Sequence, residues 1–385
     1  MTASALTRPG QRERLPIKIA QIDWRFVLML CAIAGVGGAM LFSVGKGSWE
    51  PWAANHLIRF GACVIGMLVL ALIPIRLWFA VAYPIYGFAL LLLALIEVPG
   101  LGYTAMGATR WLDVGVTRIQ PSEIMKIGLV LALARWYHAA SAHDARLSWK
   151  LLFPLAMIGI PFALVAHQPD LGSAMLLGLT GAAIMVMAGL SWKIVAGAVA
   201  AGAAFVPLFV RFVMHDYQRD RVLTFLNPGA DPSGTGYHIM QSKIALGSGG
   251  LLGKGFGLGS QSQLEFLPEK HTDFIFAAVS EEFGFVGSFS VLLLYAGIIV
   301  TALRIASLSY SHFGRLAAAG VTATFALYVL INGAMVMGRA PVVGVPMPLL
   351  SYGGTVMLTV MIGFGLVLAV RVNRYAELPK GHGLI

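Results

Sequence analysis

Ten apolar stretches alternate along the chain with short polar turns and three longer polar segments. An α-helix needs about 20 apolar residues to cross the hydrocarbon core of a bilayer. By that measure spans are predicted near residues 26–45, 57–75, 78–97, 121–140, 151–167, 171–189, 193–212, 274–302, 315–337 and 354–372. The fifth is short for a span and the eighth is long. The polar segments between them are 98–120, 213–273 and 338–353. This pattern predicts an all-α, polytopic integral membrane protein with about ten transmembrane helices, folded as one domain over 1–385. It shows no internal repeat of the kind many secondary transporters carry.

Composition supports the pattern. Of 385 residues, 58% are hydrophobic and 11% charged, against about 25% charged in a soluble domain. Lipid must therefore solvate most of the chain. Cys31 and Cys63 both lie inside apolar runs, where they read as small core residues and exclude a disulfide framework or a cysteine metal cluster. The net charge of +10 suits anionic headgroups or a polyanionic substrate. Nucleic acid is a poor partner, because the basic residues are spread between spans rather than gathered on one domain.

Basic residues also choose the orientation. Arg8, Arg12, Arg14 and Lys18 fall on the same side as Arg76, Arg146, Lys150, Lys193, Arg304, Arg315, Arg371, Arg374 and Lys380. Taking that side as cytoplasm puts both termini inside (N-in/C-in), with cytoplasmic tails at 1–24 and 373–385. The three polar segments then face outward, and the largest, 213–273, is an external loop between helices 7 and 8. The run from Phe26 ends in no clear cleavage motif and reads as a retained first span.

The 213–273 segment is too long for a simple connector. It opens with Asp216, Arg219, Asp220 and Arg221, and Tyr237, Met240 and Ile244 then follow at helical spacing, predicting a short helix on the membrane surface. Glycines at 247, 249, 250, 253, 255, 257 and 259 let the backbone run close against a ligand or the rest of the protein. They match neither a Walker A loop nor a dinucleotide fingerprint, since Lys254 is followed by Gly255. No nucleotide-driven pump is implied. No His, Cys or carboxylate set has metal-ligand spacing, although a divalent cation (Mg²⁺ or Mn²⁺) bound mainly by a diphosphate would leave no such signature.

Ionisable residues at membrane depth mark function or a costly structural pairing. Glu123 and Lys126 open the fourth span three residues apart and share a helix face. They read either as an ion pair locking a helix end or as the wall of a polar cavity. Asp170, between two spans, is either an N-cap or a third member of that cavity. Asp273 stands where a dense polar cluster meets the eighth span. It is either a helix cap or a partly desolvated general base. Glu281 and Glu282 lie two turns further on, and one of them is a candidate support residue. Arg110, Arg118, Arg221, Lys243, Lys254 and Lys270 share the external side. They could bind a diphosphate through charge-assisted hydrogen bonds or simply meet anionic lipid.

Several motifs in order carry a family resemblance over nearly the whole chain. They are Arg110-Trp111-Leu112-Asp113, Gln120-Pro121-Ser122-Glu123 with Lys126, Gln168-Pro169-Asp170-Leu171-Gly172, and Gln241-Ser242-Lys243-Ile244-Ala245 before Gly247-Ser248-Gly249-Gly250. Gln261-Ser262-Gln263-Leu264-Glu265-Phe266-Leu267-Pro268, His271-Thr272-Asp273-Phe274, Pro341-Val342-Val343-Gly344-Val345-Pro346 and Ser351-Tyr352-Gly353-Gly354 follow. The sequence resembles the SEDS family (shape, elongation, division and sporulation), its elongation branch more than its division branch. Departures such as His238 and Arg339-Ala340 fall outside the positions assigned to chemistry.

The resemblance implies ten transmembrane helices in the bacterial inner (cytoplasmic) membrane and an active site at the periplasmic face. It also implies a peptidoglycan glycosyltransferase that polymerises lipid II into glycan strands during cell elongation and so maintains rod shape. Asp273 is then the essential carboxylate, and Glu123, Lys126 and Asp170 line a polar cavity. His271 and Ser351 join the substrate-binding or cavity set. Expected partners are lipid II, the growing glycan strand, a class B penicillin-binding protein (a transpeptidase) and other elongation-complex membrane proteins. An inverting transfer would use Asp273 as base, with Arg110, Arg118, Arg221 and Lys243 as candidate cations for the leaving diphosphate. Two alternatives keep the same contacts: a lipid II flippase working through the Glu123, Lys126 and Asp170 cavity, and a non-catalytic scaffold for the penicillin-binding protein.

Overall fold

The structure, a computed structural model, describes residues 15–98, 102–105, 108–113, 118–140, 149–212, 219, 224–225, 234–267 and 269–379. A short helix α1 (Leu15–Ala20) leads into α2 (Trp24–Val44), α3 (Ala53–Ala71) and α4 (Ile75–Ile96). A small antiparallel sheet follows, β1 (Gly102–Ala105), β2 (Ala108–Asp113) and β3 (Arg118–Ile119), in the order β1-β2-β3. Next come α5 (Pro121–Ala139), α6 (Leu152–His167), α7 (Leu171–Met187) and α8 (Trp192–Phe212). After the long loop, α9 (Thr235–Ser248) and the single turn α10 (Ser260–Gln263) precede α11 (Ile275–Ser307), α12 (His312–Val336) and α13 (Gly354–Val372).

Helices α2 to α8 and α11 to α13 fall on the ten predicted spans. Seven of the spans are long and apolar enough to cross a membrane on those grounds alone. The other three are α5, which carries Glu123, Lys126 and Arg135, the 17-residue α7, and α8. The small sheet is an addition to the all-α expectation. It hides in a segment that reads only as polar loop, because strands of two to six residues are too short to impose an alternating pattern.

Burial sorts the helices into two layers. Within their most apolar windows α3 and α4 are 22% buried, whereas α12 is 67% and α13 78% buried. Helix α5 belongs with the inner pair, since every residue from Met125 to Ala134 is buried. A helix apolar all round needs protein on every side, and α12 provides it, touching α5, α7, α9, α11 and α13. The outer helices turn their other faces to lipid.

Helix α11 is long because it is broken. Gly284, at φ 65° and ψ −160°, interrupts its ladder at membrane depth, where unpaired backbone groups cost several kcal/mol each. The glycine-rich loop supplies the missing partners. Phe285 and Val286 donate to the carbonyls of Gly250 and Leu251, at 2.9 and 3.1 Å. Lys254 and Gly255 donate to the carbonyls of Glu281 and Glu282, at 3.0 and 2.9 Å. So close an approach demands glycine: a Cβ on Gly253 would lie 2.1 Å from the Glu282 carbonyl oxygen.

The 338–353 segment is not a surface loop. Met347, Leu349 and Leu350 are buried, the Tyr295 hydroxyl of α11 donates to Pro348 O at 2.6 Å, and a Cβ on Gly37 of α2 would sit 2.7 Å from Leu349 O. The segment re-enters the bundle, as its own apolar side chains require.

Candidate active site

Asp273 is half-buried, immediately before α11. The helix is capped by Phe274 with no side-chain cap bond, and Asp273 stands one residue ahead of that cap. Its surroundings come from α12 and the re-entrant segment. The Asn332 side-chain amide donates to the backbone carbonyls of Asp273 (2.9 Å) and Val345 (2.7 Å), tying the two stretches together. A Cβ on Gly344 would lie 3.8 Å from Asp273 Oδ2, which places the carboxylate against the Pro341–Pro346 turn. The same turn meets the start of α7, where a Cβ on Gly172 would come within 2.4 Å of Val343 O.

His271 has its imidazole stacked on Trp52, with centroids 4.7 Å apart and planes 14° from parallel. Its carbonyl accepts from the Tyr352 amide at 2.8 Å. Burial lowers the His271 pKa, with Glu269 partly opposing and Lys270 adding to the effect, so the ring is neutral at pH 7. Ser351 is buried, and its hydroxyl accepts from the Met347 amide at 2.8 Å, which closes the re-entrant turn.

Glu123 and Lys126 form the expected pair, at 2.5 Å and almost wholly buried. The sequence reading missed their third member. The Tyr328 hydroxyl of α12 donates to both Glu123 oxygens (3.0 and 3.1 Å), and the Lys126 ammonium donates to Tyr328 as well as to Glu123. Tyr328 and Asn332 are spaced i,i+4 on one face of an apolar helix, a polar stripe that could have flagged both. Beside Tyr328 a small pocket lies between α5, α12 and α13, lined by Lys126, Thr324, Phe325, Thr359, Val360 and Phe364 among others.

Asp170 caps α7, accepting from the Ser173 amide at 3.2 Å. It does more than cap: the Gln120 side-chain amide donates to Oδ2 at 3.3 Å and Arg110 Nη1 stands 4.0 Å from Oδ1. Arg110, on β2, also donates to the Pro169 carbonyl. The small sheet thus delivers Arg110 and Gln120 to the start of α7, next to the turn that faces Asp273.

The other cations separate into two groups. Lys254 pairs with the fully buried Glu281 at 2.6 Å, and the buried Lys270 donates to Ser262 O at 2.7 Å, so both hold the loop rather than present charge to a ligand. Glu281 also accepts from the Gln261 amide, while Glu282 accepts from the Ser43 hydroxyl (2.5 Å) and the Gly257 amide. One support residue was expected of this pair, and both carboxylates serve. Lys243, exposed on α9, lies across Gly338 at the end of α12, close to the re-entrant segment. Arg118 is placed by its backbone in β3, opposite Asp113, and Arg221 lies outside the described residues. The predicted surface helix is α9, with Met240 and Ile244 exposed and Ile239, Ser242 and Ala245 packed inward. Among the described residues no three His, Cys, Asp or Glu side chains converge on a point.

This architecture has known counterparts. The family model described as cell cycle protein, covering FtsW, RodA and SpoVE, matches residues 26–376. The peptidoglycan glycosyltransferase MrdB of Escherichia coli K12 is 46% identical over 353 residues, covering 92% of this chain and 94% of its own. A chain of a solved peptidoglycan synthase complex that coordinates polymerization and crosslinking superposes with a TM-score of 0.80 at 31% identity, over 92% of this chain and 99% of that one. The rod shape determining protein RodA of Thermus thermophilus gives 0.70 at 28% identity, over 92% and 98%.

Proposed function

The chain belongs to the FtsW, RodA and SpoVE family of cell cycle proteins and is a peptidoglycan glycosyltransferase, and we propose that it polymerises lipid II during cell elongation with Asp273 as general base. On this reading it is a multi-pass protein of the bacterial inner membrane with its site at the periplasmic face. The observation that carries the reading is the setting of Asp273: a half-buried carboxylate beside a re-entrant turn that Asn332 fastens in place.

The 4-hydroxyl of one lipid II attacks the anomeric carbon of the terminal N-acetylmuramic acid on the growing strand. Asp273 takes the hydroxyl proton, the new C–O bond forms, and the bond from the anomeric carbon to the undecaprenyl diphosphate breaks. An α-linked donor giving a β-1,4 product is an inversion, which needs one displacement and one base. Arg110, with Lys243 and the sequence candidates Arg118 and Arg221, meets the charge developing on the diphosphate. Mg²⁺ or Mn²⁺ carried by the diphosphate would add to that stabilisation. A class B penicillin-binding protein crosslinks the product beside it.

The bonded Glu123–Lys126–Tyr328 core favours one second reading, a polar route for flipping lipid II. Purified protein, with its transpeptidase, incubated with lipid II separates the two. Glycan from wild type and none from Asp273→Asn supports transfer with Asp273 as base. Equal glycan from both removes Asp273 from the chemistry. No glycan from either, with lipid II crossing vesicle membranes, supports the flippase; neither activity supports a scaffold.

A further inference from the structure

The reaction joins two lipid-linked molecules, so two diphosphates must be held at once, one on each side of the base. The α7 flank has Arg110, already engaged with Pro169 O and Asp170. The opposite flank contains a cation that the mechanism has not used. Arg59 lies in the second turn of α3, exposed on a membrane-spanning helix. No carboxylate lies within 4 Å of it among the described residues. What it does touch is the face of Tyr352, at 5.1 Å from the ring centroid.

Its position adds a second argument. The guanidinium packs on the first residue of α13, since a Cβ on Gly354 would be 3.1 Å from Arg59 Nη1. That helix is capped by Gly353, which has no side chain to accept from its first amides. A guanidinium and a helix N-terminus are both positive poles. Side by side at this end of α13, the two poles could meet one anion together. Tyr352 connects the pair to the reacting centre, because its amide is bonded to His271 O, two residues from Asp273.

We propose that Arg59, with the first turn of α13, docks the diphosphate of the second lipid-linked substrate on the α3 flank of Asp273. The guanidinium fork suits two phosphate oxygens, and exposure of Arg59 toward lipid lets a prenyl-anchored ligand arrive sideways without leaving the bilayer. The inference rests on the glycosyl-transfer reading for the identity of the ligand. The recognised chemistry is a phosphate ester on a lipid, which a bulk phospholipid also carries.

The test uses the full-length protein in nanodiscs, with undecaprenyl diphosphate as one probe and phosphatidylglycerol as the other. Arg59→Gln is expected to weaken undecaprenyl diphosphate binding by about tenfold or more, the size of one charge-assisted hydrogen bond. Phosphatidylglycerol binding should stay unchanged. In the polymerisation assay KM for lipid II should rise in parallel while kcat holds within about twofold, and Arg59→Lys should recover much of the loss. Unchanged undecaprenyl diphosphate binding overturns the proposal, as does an equal loss for phosphatidylglycerol or a fall in kcat alone. Binding is read independently of turnover, so a wild type that binds through Arg59 but makes no glycan would count against the glycosyltransferase reading and not against this site. Thermal stability of the Gln and Lys variants, compared with wild type, separates lost docking from lost folding.

Discussion

Replacing Lys126 by methionine keeps the length of the side chain and removes its charge. Glu123 is 4% exposed and Lys126 1%, so the change leaves a carboxylate at membrane depth with the Tyr328 hydroxyl as its remaining described partner. Breaking a buried pair from one side costs about 3–5 kcal/mol in soluble proteins. In a bilayer the unfolded helices also find polar partners, which trims such losses, so a cost of about 2–4 kcal/mol is expected. Removing both charges, with Glu123→Gln and Lys126→Met together, leaves no orphan and should cost about 1 kcal/mol or less. At the unfolding entropy of globular proteins a loss of about 3 kcal/mol in 385 residues lowers Tm by roughly 4 °C. Thermal unfolding in detergent, followed by the fraction eluting as folded monomer in size exclusion, measures the order. A double variant less stable than Lys126→Met, or a single variant as stable as wild type, would refute the view that the pair is held by mutual neutralisation.

Two further perturbations probe the parts that position the site. Gly253→Ala places a methyl 2.1 Å from the Glu282 carbonyl at a residue with φ +81°, so it should detach the loop from the break in α11 and lower stability by about 2 kcal/mol or more; an unchanged Tm would show that the loop does not complete that helix. His271 supplies a pH test. Burial holds its pKa below 6.5 in the folded protein, so the unfolded chain takes up the proton first. The stability tied to the neutral, Trp52-stacked ring is therefore full above pH 6.5 and lost as pH falls below it. Wild type should lose more Tm than His271→Gln between pH 7.5 and 5.5, and an equal loss in both would rule this out.

Much of the fold was legible because lipid leaves the chain little choice. With no water to satisfy the backbone, each apolar run of sufficient length becomes a helix, and all ten long helices lie where hydropathy predicts. Local chemistry was legible too. Glu123 and Lys126 share a face through their spacing, and Asp170 precedes an apolar run as an N-cap does; both features recur in the structure. Of Glu281 and Glu282 one looked like a support residue, and both clamp the glycine-rich loop.

What escaped the sequence depends on contacts between distant segments. The strands of the small sheet are too short to show a period, and the polar label on 338–353 hid a re-entrant segment whose anchors, Tyr295 and Asn332, lie on two other helices. Tyr328 completes a pair some 200 positions away, with a separation of 205 residues from Glu123, and only packing of α12 against α5 reveals it. Likewise, Lys254 and Lys270 stand in the polar 213–273 segment and Arg59 in a predicted span, but nothing in the sequence says which of them finds an acceptor. Tertiary structure separates them by giving the first two an internal acceptor and leaving the third against a tyrosine face and a helix N-terminus. By itself the sequence determined the helices, their order and the residue types available for chemistry, because those follow from hydropathy and local spacing. Which charges are neutralised and which still face a ligand was decided only by the tertiary structure, because neutralisation requires an acceptor within a few ångströms, and here distant parts of the chain supply it.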